Sequence, residues 1–157
     1  HARLGAMGDG RRNTVRALAY QVARAKGFRL ITYVDPGASR IGEVSIGDNC
    51  FILEQNVLQP FVRIGNNVVL WSGNHIGHHS SIGDNVYIAS HAVVAGHVTI
   101  GANCFIGINA TIRDGITIAP NCIIGAGVTL QRHTKEGEVY RVEPPEPLPY
   151  PSHKWKI

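Results

Sequence analysis

Five of the eight histidines in this chain fall within 23 residues: His75, His78, His79, His91 and His97. Imidazole is the side chain whose charge changes nearest to neutral pH, so histidine suits proton transfer. A group of histidines can supply a general base to an enzyme or ligands to a metal ion. The sequence therefore predicts a reactive site in the middle of the chain.

A repeat of six residues positions these histidines. Every sixth residue from 46 to 130 is Ile, Leu or Val, fifteen in succession. They are Ile46, Ile52, Leu58, Ile64, Leu70, Ile76, Ile82, Ile88, Val94, Ile100, Ile106, Ile112, Ile118, Ile124 and Leu130. An α-helix repeats every 3.6 residues, so this period predicts short strands separated by tight corners instead. The aliphatic residue and the mostly small residue two positions before it should point inward.

Strands this short cannot bury a face alone and must stack in coils. Three hexads close a triangular coil of eighteen residues, so residues eighteen apart lie above one another, and fifteen hexads predict five coils. Cys50, Cys104 and Cys122 are separated by multiples of eighteen. We expect them to form one buried row of free thiols rather than a metal or redox site.

Three segments carry a resemblance to a known family: IGNN at 64–67, IGDN at 82–85 and IGAN at 100–103. They resemble the hexapeptide-repeat acyltransferases, and residues 71–130 are most similar to the branch of sialic acid O-acetyltransferases and nucleotide-sugar N-acetyltransferases. The resemblance implies an all-β fold, a left-handed parallel β-helix, since the period alone does not show the hand of the coil. It also implies a homotrimer that uses acetyl-CoA as cosubstrate.

The eighteen-residue spacing sets His78 beneath Gly96 and His79 beneath His97 at one outward corner. Transfer of an acetyl group from a thioester needs a base for the proton of the nucleophile and a donor for the oxyanion. We predict that His78 is the general base and that the Gly96 N–H, unobstructed by any side chain, is the donor. His79 is the alternative base.

Residues 76–83, with sequence IGHHSSIG, match in register the segment that carries the base in the resembled branch. Three positions depart from the pattern of that branch. The acidic residue after the base is His79, an Asn seven positions before it is Trp71, and a second His nine positions after it is Tyr87. These changes leave open which group orients His78 and which acceptor is used.

The resemblance further implies that CoA lies in the groove between adjacent subunits. The predicted CoA contacts are Tyr87, Gly96, Ile108, Ala126, Arg132 and Arg141. Gly96, Ile108 and Ala126 should line a single edge of the solenoid, because their spacing is close to the coil repeat. The two arginines, together with Lys154, are candidates for the CoA phosphates. Ordinary solvated surface is an equally good interpretation of these cations.

Trp71, Asn74 and His75 precede the predicted base on the same coil and are the candidate substrate-binding residues. An exposed Trp beside polar groups can stack on a sugar ring or a base, and Asn can hydrogen-bond hydroxyl groups. Packing of Trp71 in the core is the alternative interpretation.

Residues 1–36 form an N-terminal segment outside the repeat. Apolar spacing predicts a helix over 14–26, with Asn13 or Thr14 as its cap and Gly27 as its terminator, followed by a strand over 28–34. Residues 8–34 look like the last helix and strand of the nucleotide-sugar-binding domain that precedes the solenoid in the resembled branch. A cap on the open end of the β-helix is the alternative.

Residues 37–131 are assigned to the β-helix and residues 132–157 to an extended C-terminal tail. Five prolines between positions 144 and 151 argue against a helix in this tail, and Tyr150 and Trp155 are its expected anchors. The V-x-x-G-x-P loop that lies near the cofactor in the family corresponds to residues 139–144. Val142 replaces the glycine of that loop.

The net charge of +4 is concentrated in the first thirty residues and after residue 131, whereas the middle of the chain is nearly neutral. Because the middle lacks interleaved basic and aromatic residues, nucleic-acid binding is not expected. The sequence contains no apolar run long enough for a membrane span and no secretory signal pattern. It therefore predicts a cytoplasmic protein.

The predicted function is transfer of an acetyl group from acetyl-CoA to the amino group of a nucleotide-linked sugar. O-acetylation of a sialic acid or another sugar hydroxyl is the first alternative. A metal lyase of the γ-carbonic-anhydrase kind is disfavoured, and no metal is expected, because that family needs two histidines five residues apart and this sequence has none. A non-catalytic scaffold is the remaining alternative.

Overall fold

The computed structural model describes residues 2–3, 13–149 and 151–154. One α-helix, α1, spans Thr14–Ala25, and a single turn of 3₁₀ helix spans Ser152–Lys154. The strands are β1 Ala2–Arg3, β2 Arg29–Leu30, β3 Tyr33–Val34, β4 Ser39–Arg40, β5 Val44–Ile46, β6 Phe51–Ile52, β7 Val57–Leu58, β8 Val62–Ile64, β9 Val69–Leu70, β10 His75–Ile76, β11 Ser81–Ile82, β12 Tyr87–Ile88, β13 Val93–Val94, β14 Thr99–Ile100, β15 Phe105–Ile106, β16 Thr111–Ile112, β17 Thr117–Ile118, β18 Ile123–Ile124, β19 Thr129–Leu130 and β20 Val139–Tyr140.

Three parallel sheets form the walls of a solenoid. The seven-stranded sheet has the order β20-β18-β15-β12-β9-β6-β3, the six-stranded sheet β19-β16-β13-β10-β7-β4, and the five-stranded sheet β17-β14-β11-β8-β5. Partners along the repeat are eighteen residues apart, as in the pairing of Ile76 with Val94. The predicted parallel β-solenoid with an eighteen-residue coil is therefore confirmed.

The solenoid has about six turns, one more than predicted. Strand β3 pairs with β6, and strand β4 pairs with β7, so the first turn begins before the aliphatic run does. Arg40, six residues before Ile46, is not aliphatic, so the aliphatic pattern in the sequence begins only at Ile46. The single strand expected over 28–34 is correspondingly two strands, β2 outside the solenoid and β3 inside it.

The core lies inside the coils. Of the fifteen aliphatic residues of the repeat, all but Ile46 are buried, and Ile46 packs against the core. Cys50, Cys104 and Cys122 are free thiols with no exposed surface, which confirms the predicted inward row. Burial raises the pKa of Cys104 to about 12, so this thiol stays neutral and unreactive in the folded protein.

Each corner bends through a residue with positive φ, three positions after the aliphatic residue. The non-glycine residues in this position are Asn49, Gln55, Phe61, Asn67, His79, Asn85, His91, His97, Asn103, Asn109 and Asn121. Asn and His tolerate this left-handed conformation better than most residues, whereas Gln and Phe enter it less readily. The corners at Gln55 and Phe61 are therefore the exceptions in the repeat.

Helix α1 contacts one corner of the solenoid. Arg16 is buried and donates to the carbonyl oxygens of Asn67 and Asn85, and the Tyr20 hydroxyl donates to Asp48. Asn13 precedes the helix as predicted, but its side-chain amide donates to the Cys104 carbonyl (3.1 Å) instead of capping the helix.

The end of the helix and the strand pairing agree with a strand–helix–strand unit. Gly27, at φ 74°, follows the last helical residues, and its N–H donates to the Arg24 carbonyl (2.9 Å) as expected of a terminator. Strands β1 and β2, which flank the helix, pair in parallel. Residues 8–10 of the predicted domain remnant lie outside the described part of the chain.

The segment after residue 131 is only partly an extended tail. Strand β20 adds to the seven-stranded sheet, where the Gly125 N–H donates to the Tyr140 carbonyl (2.8 Å). The turn of 3₁₀ helix at Ser152–Lys154 contradicts the expectation that the proline-rich tail excludes a helix, because it begins just after the last proline. Tyr150 and Trp155, the expected anchors, lie outside the described residues. No helix in the described ranges is long and apolar enough to cross a membrane.

Candidate active site

The corner between the six-stranded and five-stranded sheets brings three histidine rings together. His78 and His79 follow strand β10, and His97 follows β13 one coil later. The His79 and His97 rings stack with centroids 4.8 Å apart and planes inclined by 17°, and the His78 ring meets each of them edge-on, at 5.3 and 5.0 Å. We call His78, His79 and His97 the histidine corner. The predicted grouping is confirmed.

The backbone holds this corner in place. The His97 N–H donates to the His78 carbonyl (2.8 Å), and the His79 N–H donates to the Pro60 carbonyl (3.0 Å). The Gln59 side chain accepts a hydrogen bond from the His78 N–H (3.0 Å). The Phe61 ring packs against His79 with a centroid distance of 4.8 Å. These contacts fix the backbone of the corner while leaving its three imidazoles exposed.

Two ring nitrogens of neighbouring residues face each other. The Nδ1 atoms of His78 and His79 are 3.1 Å apart, so one of them donates a hydrogen bond to the other. Partial loss of hydration, followed by repulsion from His97, His78 and Arg63, lowers the pKa of His79. At neutral pH, His79 is therefore neutral, and its Nδ1 can accept a hydrogen bond from the His78 Nδ1–H.

Gly96 lies under the His78 ring, one coil on. A Cβ at Gly96 would come within 2.7 Å of His78 Nε2 and 3.0 Å of Asp114 Oδ1, so only glycine fits without displacing them. The residue is buried, which contradicts the expectation of an unobstructed amide, because the ring closes over it. Within the described residues, the Gly96 N–H has no hydrogen-bond acceptor, whereas its carbonyl accepts from the Gly115 N–H (2.9 Å).

The predicted CoA contacts do not share one edge. Gly96 follows β13, whereas Ile108 and Ala126 precede β16 and β19, at the opposite edge of the six-stranded sheet. The prediction is wrong because Gly96 and Ile108 are twelve residues apart, which is two thirds of a coil. Ile108 and Ala126 are a full coil apart and do lie in register. Ile108 exposes half of its side chain.

Tyr87 and Trp71 meet near that second edge. Tyr87 stacks on Phe105 with centroids 5.4 Å apart. Burial raises the pKa of Tyr87, and a hydrogen bond with the Trp71 side chain opposes this shift. Trp71 is 42% exposed, so it is not a core residue. We call Trp71, Tyr87, Ile108 and Ala126 the second edge.

Asn74 turns its side chain into the coil. It is buried, its Oδ1 accepts from the Ala92 N–H (2.8 Å), and its amide donates to the Trp71 carbonyl. The expectation that Asn74 contacts a substrate is therefore wrong, because the side chain is used to bridge two coils. His75 is half-buried on the outer face of β10.

The two arginines lie near the C-terminal end of the solenoid. Arg141 pairs with Glu143 (3.0 Å), and both side chains are exposed. Arg132 interacts with the Tyr140 hydroxyl, lowering its pKa, although a hydrogen bond to Glu138 raises it more. Val139 and Tyr140, which begin the expected cofactor loop, form strand β20.

The repeats match a family model described as bacterial transferase hexapeptide (six repeats) over residues 43–78, 61–96 and 97–132, more than half of the chain. The chain belongs to the bacterial transferase hexapeptide family. This membership confirms the resemblance inferred from the repeat, and the fold is the left-handed parallel β-helix. No curated protein sequence matches the chain.

Solved structures of other proteins share this fold. A variant of perosamine N-acetyltransferase from Caulobacter crescentus, in complex with CoA and GDP-perosamine, is 24% identical with a TM-score of 0.83, over 88% of this chain and 64% of that one. The acetyltransferase domain of PglB from Neisseria gonorrhoeae is 24% identical, with a TM-score of 0.81 over 87% of this chain and 67% of that one. WeeI from Acinetobacter baumannii is 21% identical, with a TM-score of 0.78 over 82% of this chain and 63% of that one. This chain thus spans about two thirds of their length.

The chain also contains site residues that the sequence reasoning missed. Asp114 and Gln59 approach the histidine corner, and each follows from the eighteen-residue coil: Asp114 is one coil after Gly96, and Gln59 is one coil before Gly77. One ligand atom from each of His78, His79 and His97 lies within 4.8 Å of the others, a separation that suits a metal ion. The sequence predicted this grouping but not a metal site in it, because metal binding was judged only on the five-residue spacing of another family.

Proposed function

We propose that this chain transfers an acetyl group from acetyl-CoA to the amino group of a nucleotide-linked sugar, with His78 as the general base. The observation that carries the proposal is the packing of the His78 ring on Gly96, whose N–H has no acceptor within the described residues. A base beside a free backbone donor is what the tetrahedral intermediate of acyl transfer requires.

The similar structures support the choice of substrates. One is a perosamine N-acetyltransferase in complex with CoA and GDP-perosamine. Another is the PglB acetyltransferase domain in complex with acetyl coenzyme A. By analogy, acetyl-CoA is the donor, and an amine on a nucleotide-linked sugar is the acceptor.

His79 orients the base through the contact between the two Nδ1 atoms. When His78 Nδ1–H donates to neutral His79, the lone pair of His78 lies on Nε2, the nitrogen nearest Gly96. His79 thus takes the place of the acidic residue found in the resembled branch. A neutral partner stabilises the imidazolium form less than a carboxylate does.

The reaction follows from these positions. His78 moves off Gly96 so that the thioester carbonyl reaches the Gly96 N–H. The sugar amine attacks the carbonyl carbon, a C–N bond forms, and the amine proton passes to His78 Nε2. The oxyanion collapses, the C–S bond breaks, and the CoA thiolate takes the proton from His78. Acetylated sugar and CoA leave, and His78 is neutral again.

We further propose a homotrimer in which the second edge of one subunit faces the histidine corner of its neighbour. The two groups occupy opposite edges of the six-stranded sheet, so the chain alone does not join them. CoA would lie between them, against Tyr87, Ile108 and Ala126, with its phosphates near Arg132 and Arg141. Trp71 and His75 would contact the sugar nucleotide.

The test is an acetyl-transfer assay with a panel of nucleotide-linked amino sugars, followed by mass spectrometry of the products. We expect one amino sugar to gain an acetyl group, and His78→Ala to lower kcat by about 10²–10⁴-fold, the usual contribution of a general base. His153→Ala is the control, since it removes an exposed histidine that belongs neither to the histidine corner nor to the second edge. Full activity of His78→Ala with loss in His79→Ala would transfer the base assignment to His79. Acetylation of a sugar hydroxyl alone would contradict the choice of acceptor.

A further inference from the structure

We propose that the histidine corner is also a binding site for one divalent transition-metal cation, Zn²⁺ in the first instance, held by ring nitrogens of His78, His79 and His97. The site is formed within a single chain, between two successive coils. It is separate from the acetyl-transfer proposal, since it rests on the positions of ligand atoms and not on any reaction.

The separation of the ligand atoms suits zinc. Zinc–imidazole bonds of about 2.0–2.1 Å at tetrahedral angles bring two ligand nitrogens to about 3.3 Å from each other. The Nδ1 atoms of His78 and His79 are 3.1 Å apart before any adjustment. One ring nitrogen of each of the three histidines lies within 4.8 Å of the others, so small side-chain rotations are enough for a cation to bind all three.

The corner is rigid where the ligands are attached. His79 and His97 occupy corresponding corner positions in adjacent coils, at φ 59° and 55°. The bond from the His97 N–H to the His78 carbonyl (2.8 Å) links the two corners directly. Three ligands on a fixed backbone pay little ordering entropy on binding a cation.

The surroundings support a partly open site. All three imidazoles are exposed, so water can fill the remaining coordination position. His78 Nε2 and Asp114 Oδ1 both lie near the point that a Cβ at Gly96 would occupy, at 2.7 and 3.0 Å from it, so a carboxylate is close to the side of the ring opposite Nδ1. A carboxylate that accepts a hydrogen bond from the free N–H of a histidine ligand strengthens metal binding. The positive charge of Arg63 lies close enough to His79 to repel a bound cation.

Metal binding and base catalysis would exclude each other. A cation on His78 Nδ1 leaves the ring proton on Nε2, the nitrogen that must accept the amine proton. Zinc is therefore expected to inhibit acetyl transfer, and this consequence, unlike the site itself, rests on the proposed function.

The experiment is a titration of the tag-free, chelator-treated chain with Zn²⁺ by isothermal calorimetry, and with Co²⁺ by visible absorption. We expect one Zn²⁺ per chain and a Co²⁺ spectrum with the intense bands of tetrahedral coordination. His97→Asn should weaken Zn²⁺ binding at least tenfold. His91→Asn, which makes the same change at another exposed corner with positive φ, should bind Zn²⁺ like the unmodified chain.

Asn is well suited to both corner positions, so neither variant is expected to misfold, and matching circular dichroism melts check this. Equal Zn²⁺ affinity in His97→Asn and the unmodified chain would overturn the proposal, as would a Co²⁺ spectrum of the hydrated ion. Absence of acetyl transfer would not affect this decision, because calorimetry and absorption require no substrate.

Discussion

Two corners of the solenoid share the same backbone geometry but have different roles. The asparagine corner, between the five-stranded and seven-stranded sheets, carries Asn49, Asn67, Asn85, Asn103 and Asn121 at positive φ. The histidine corner carries His79 and His97 in the equivalent position, preceded by Phe61 one coil earlier. The comparison teaches that the repeat determines where a corner lies, and the corner residue determines what it does.

The asparagine corner is internally bonded. The first four Asn amides each donate to the Asn oxygen of the next coil, for example from Asn49 to Asn67 (2.8 Å) and from Asn67 to Asn85 (2.7 Å), and the Asn121 amide donates to Glu136. Helix α1 then covers the column, with Arg16 bonded to two of its carbonyls. Polar groups at this corner are satisfied and covered, so it stabilises the coil stack.

The histidine corner leaves groups available. At the asparagine corner, the Asn66 N–H donates to Asp84 (2.7 Å) one coil on. The equivalent N–H of Gly96 has no such acceptor in the described chain, and neither do those of Asp84 and Ala102 at the asparagine corner. The difference therefore lies in the side chains: exposed imidazole rings at one corner, against hydrogen-bonded asparagines at the other, mark the histidine corner as the site of binding or chemistry.

Among the tests of this comparison, Gly96→Ala is expected to have the largest effect. Ala102 occupies the same position at the asparagine corner, so the corner backbone itself accepts alanine. At Gly96 the added Cβ would lie 2.7 Å from the resting His78 ring and would occupy the space through which the thioester carbonyl reaches the Gly96 N–H. We expect acetyl transfer to fall about 100-fold, with an unchanged melting temperature, because an N–H that the carbonyl cannot approach is equivalent to a lost oxyanion donor. Steady-state kinetics measure the loss. Ala102→Gly is the control and should retain full activity. Equal activity of Gly96→Ala and the unmodified chain would contradict the role of this corner.

Arg16→Met tests the other corner. The substitution keeps much of the apolar stem but removes the donors to the Asn67 and Asn85 carbonyls, leaving buried acceptors unpaired. We expect a loss of about 2 kcal/mol in the free energy of unfolding, measured by urea denaturation. Arg24→Met, at an exposed position of the same helix, should leave stability unchanged. If both variants unfold alike, the helix does not stabilise the asparagine corner.

Much of the fold could be predicted from the sequence, because the aliphatic residues of the repeat recur at every sixth position. The buried thiols, the pairing of coils and the grouping of His78, His79 and Gly96 all follow from the eighteen-residue period. The first turn was missed because Arg40 is exposed and breaks the aliphatic run. An aliphatic period appears only where the repeated position is buried, and position 40 is exposed.

The details of the site depend on side-chain directions that a period does not contain. Asn74 looked like a substrate ligand, but its amide bridges coils inside the solenoid. Gly96 looked open, but the His78 ring covers it. The assignment of Gly96 and Ile108 to one edge was wrong for a simpler reason. Each corner is six residues from the next, so a separation of twelve residues places the two at different corners. Only residues separated by a multiple of eighteen lie on the same edge.

Asn85→Ala is a finer test of the asparagine corner. It removes the middle of the ladder, so the Asn67 amide loses its acceptor and Asn103 loses its donor. Because Asn85 is only half-buried, we expect a loss of about 1 kcal/mol, smaller than that of Arg16→Met. Urea denaturation measures it. Asn109→Ala is the matched control, since Asn109 has positive φ at an exposed corner and should lose mainly its backbone preference. Equal losses would mean that the ladder contributes nothing beyond backbone conformation.

His79→Glu tests whether residue 79 orients His78 at the histidine corner, and its expected effect on acetyl transfer is the smallest. In the unmodified chain, His79 has a lowered pKa and is a neutral partner for His78. A carboxylate there would favour the charged form of His78 and raise its pKa. The acid limb of the profile of kcat/KM against pH should therefore move to higher pH, because His78 would stay protonated, and unable to accept a proton, until a higher pH is reached. We expect kcat at pH 8 to rise about threefold, since a charged partner stabilises the imidazolium of the transition state. His79→Gln, which is neutral, is the control and should leave the acid limb in place. An acid limb at the same pH in the Glu and Gln variants would mean that residue 79 does not orient the base.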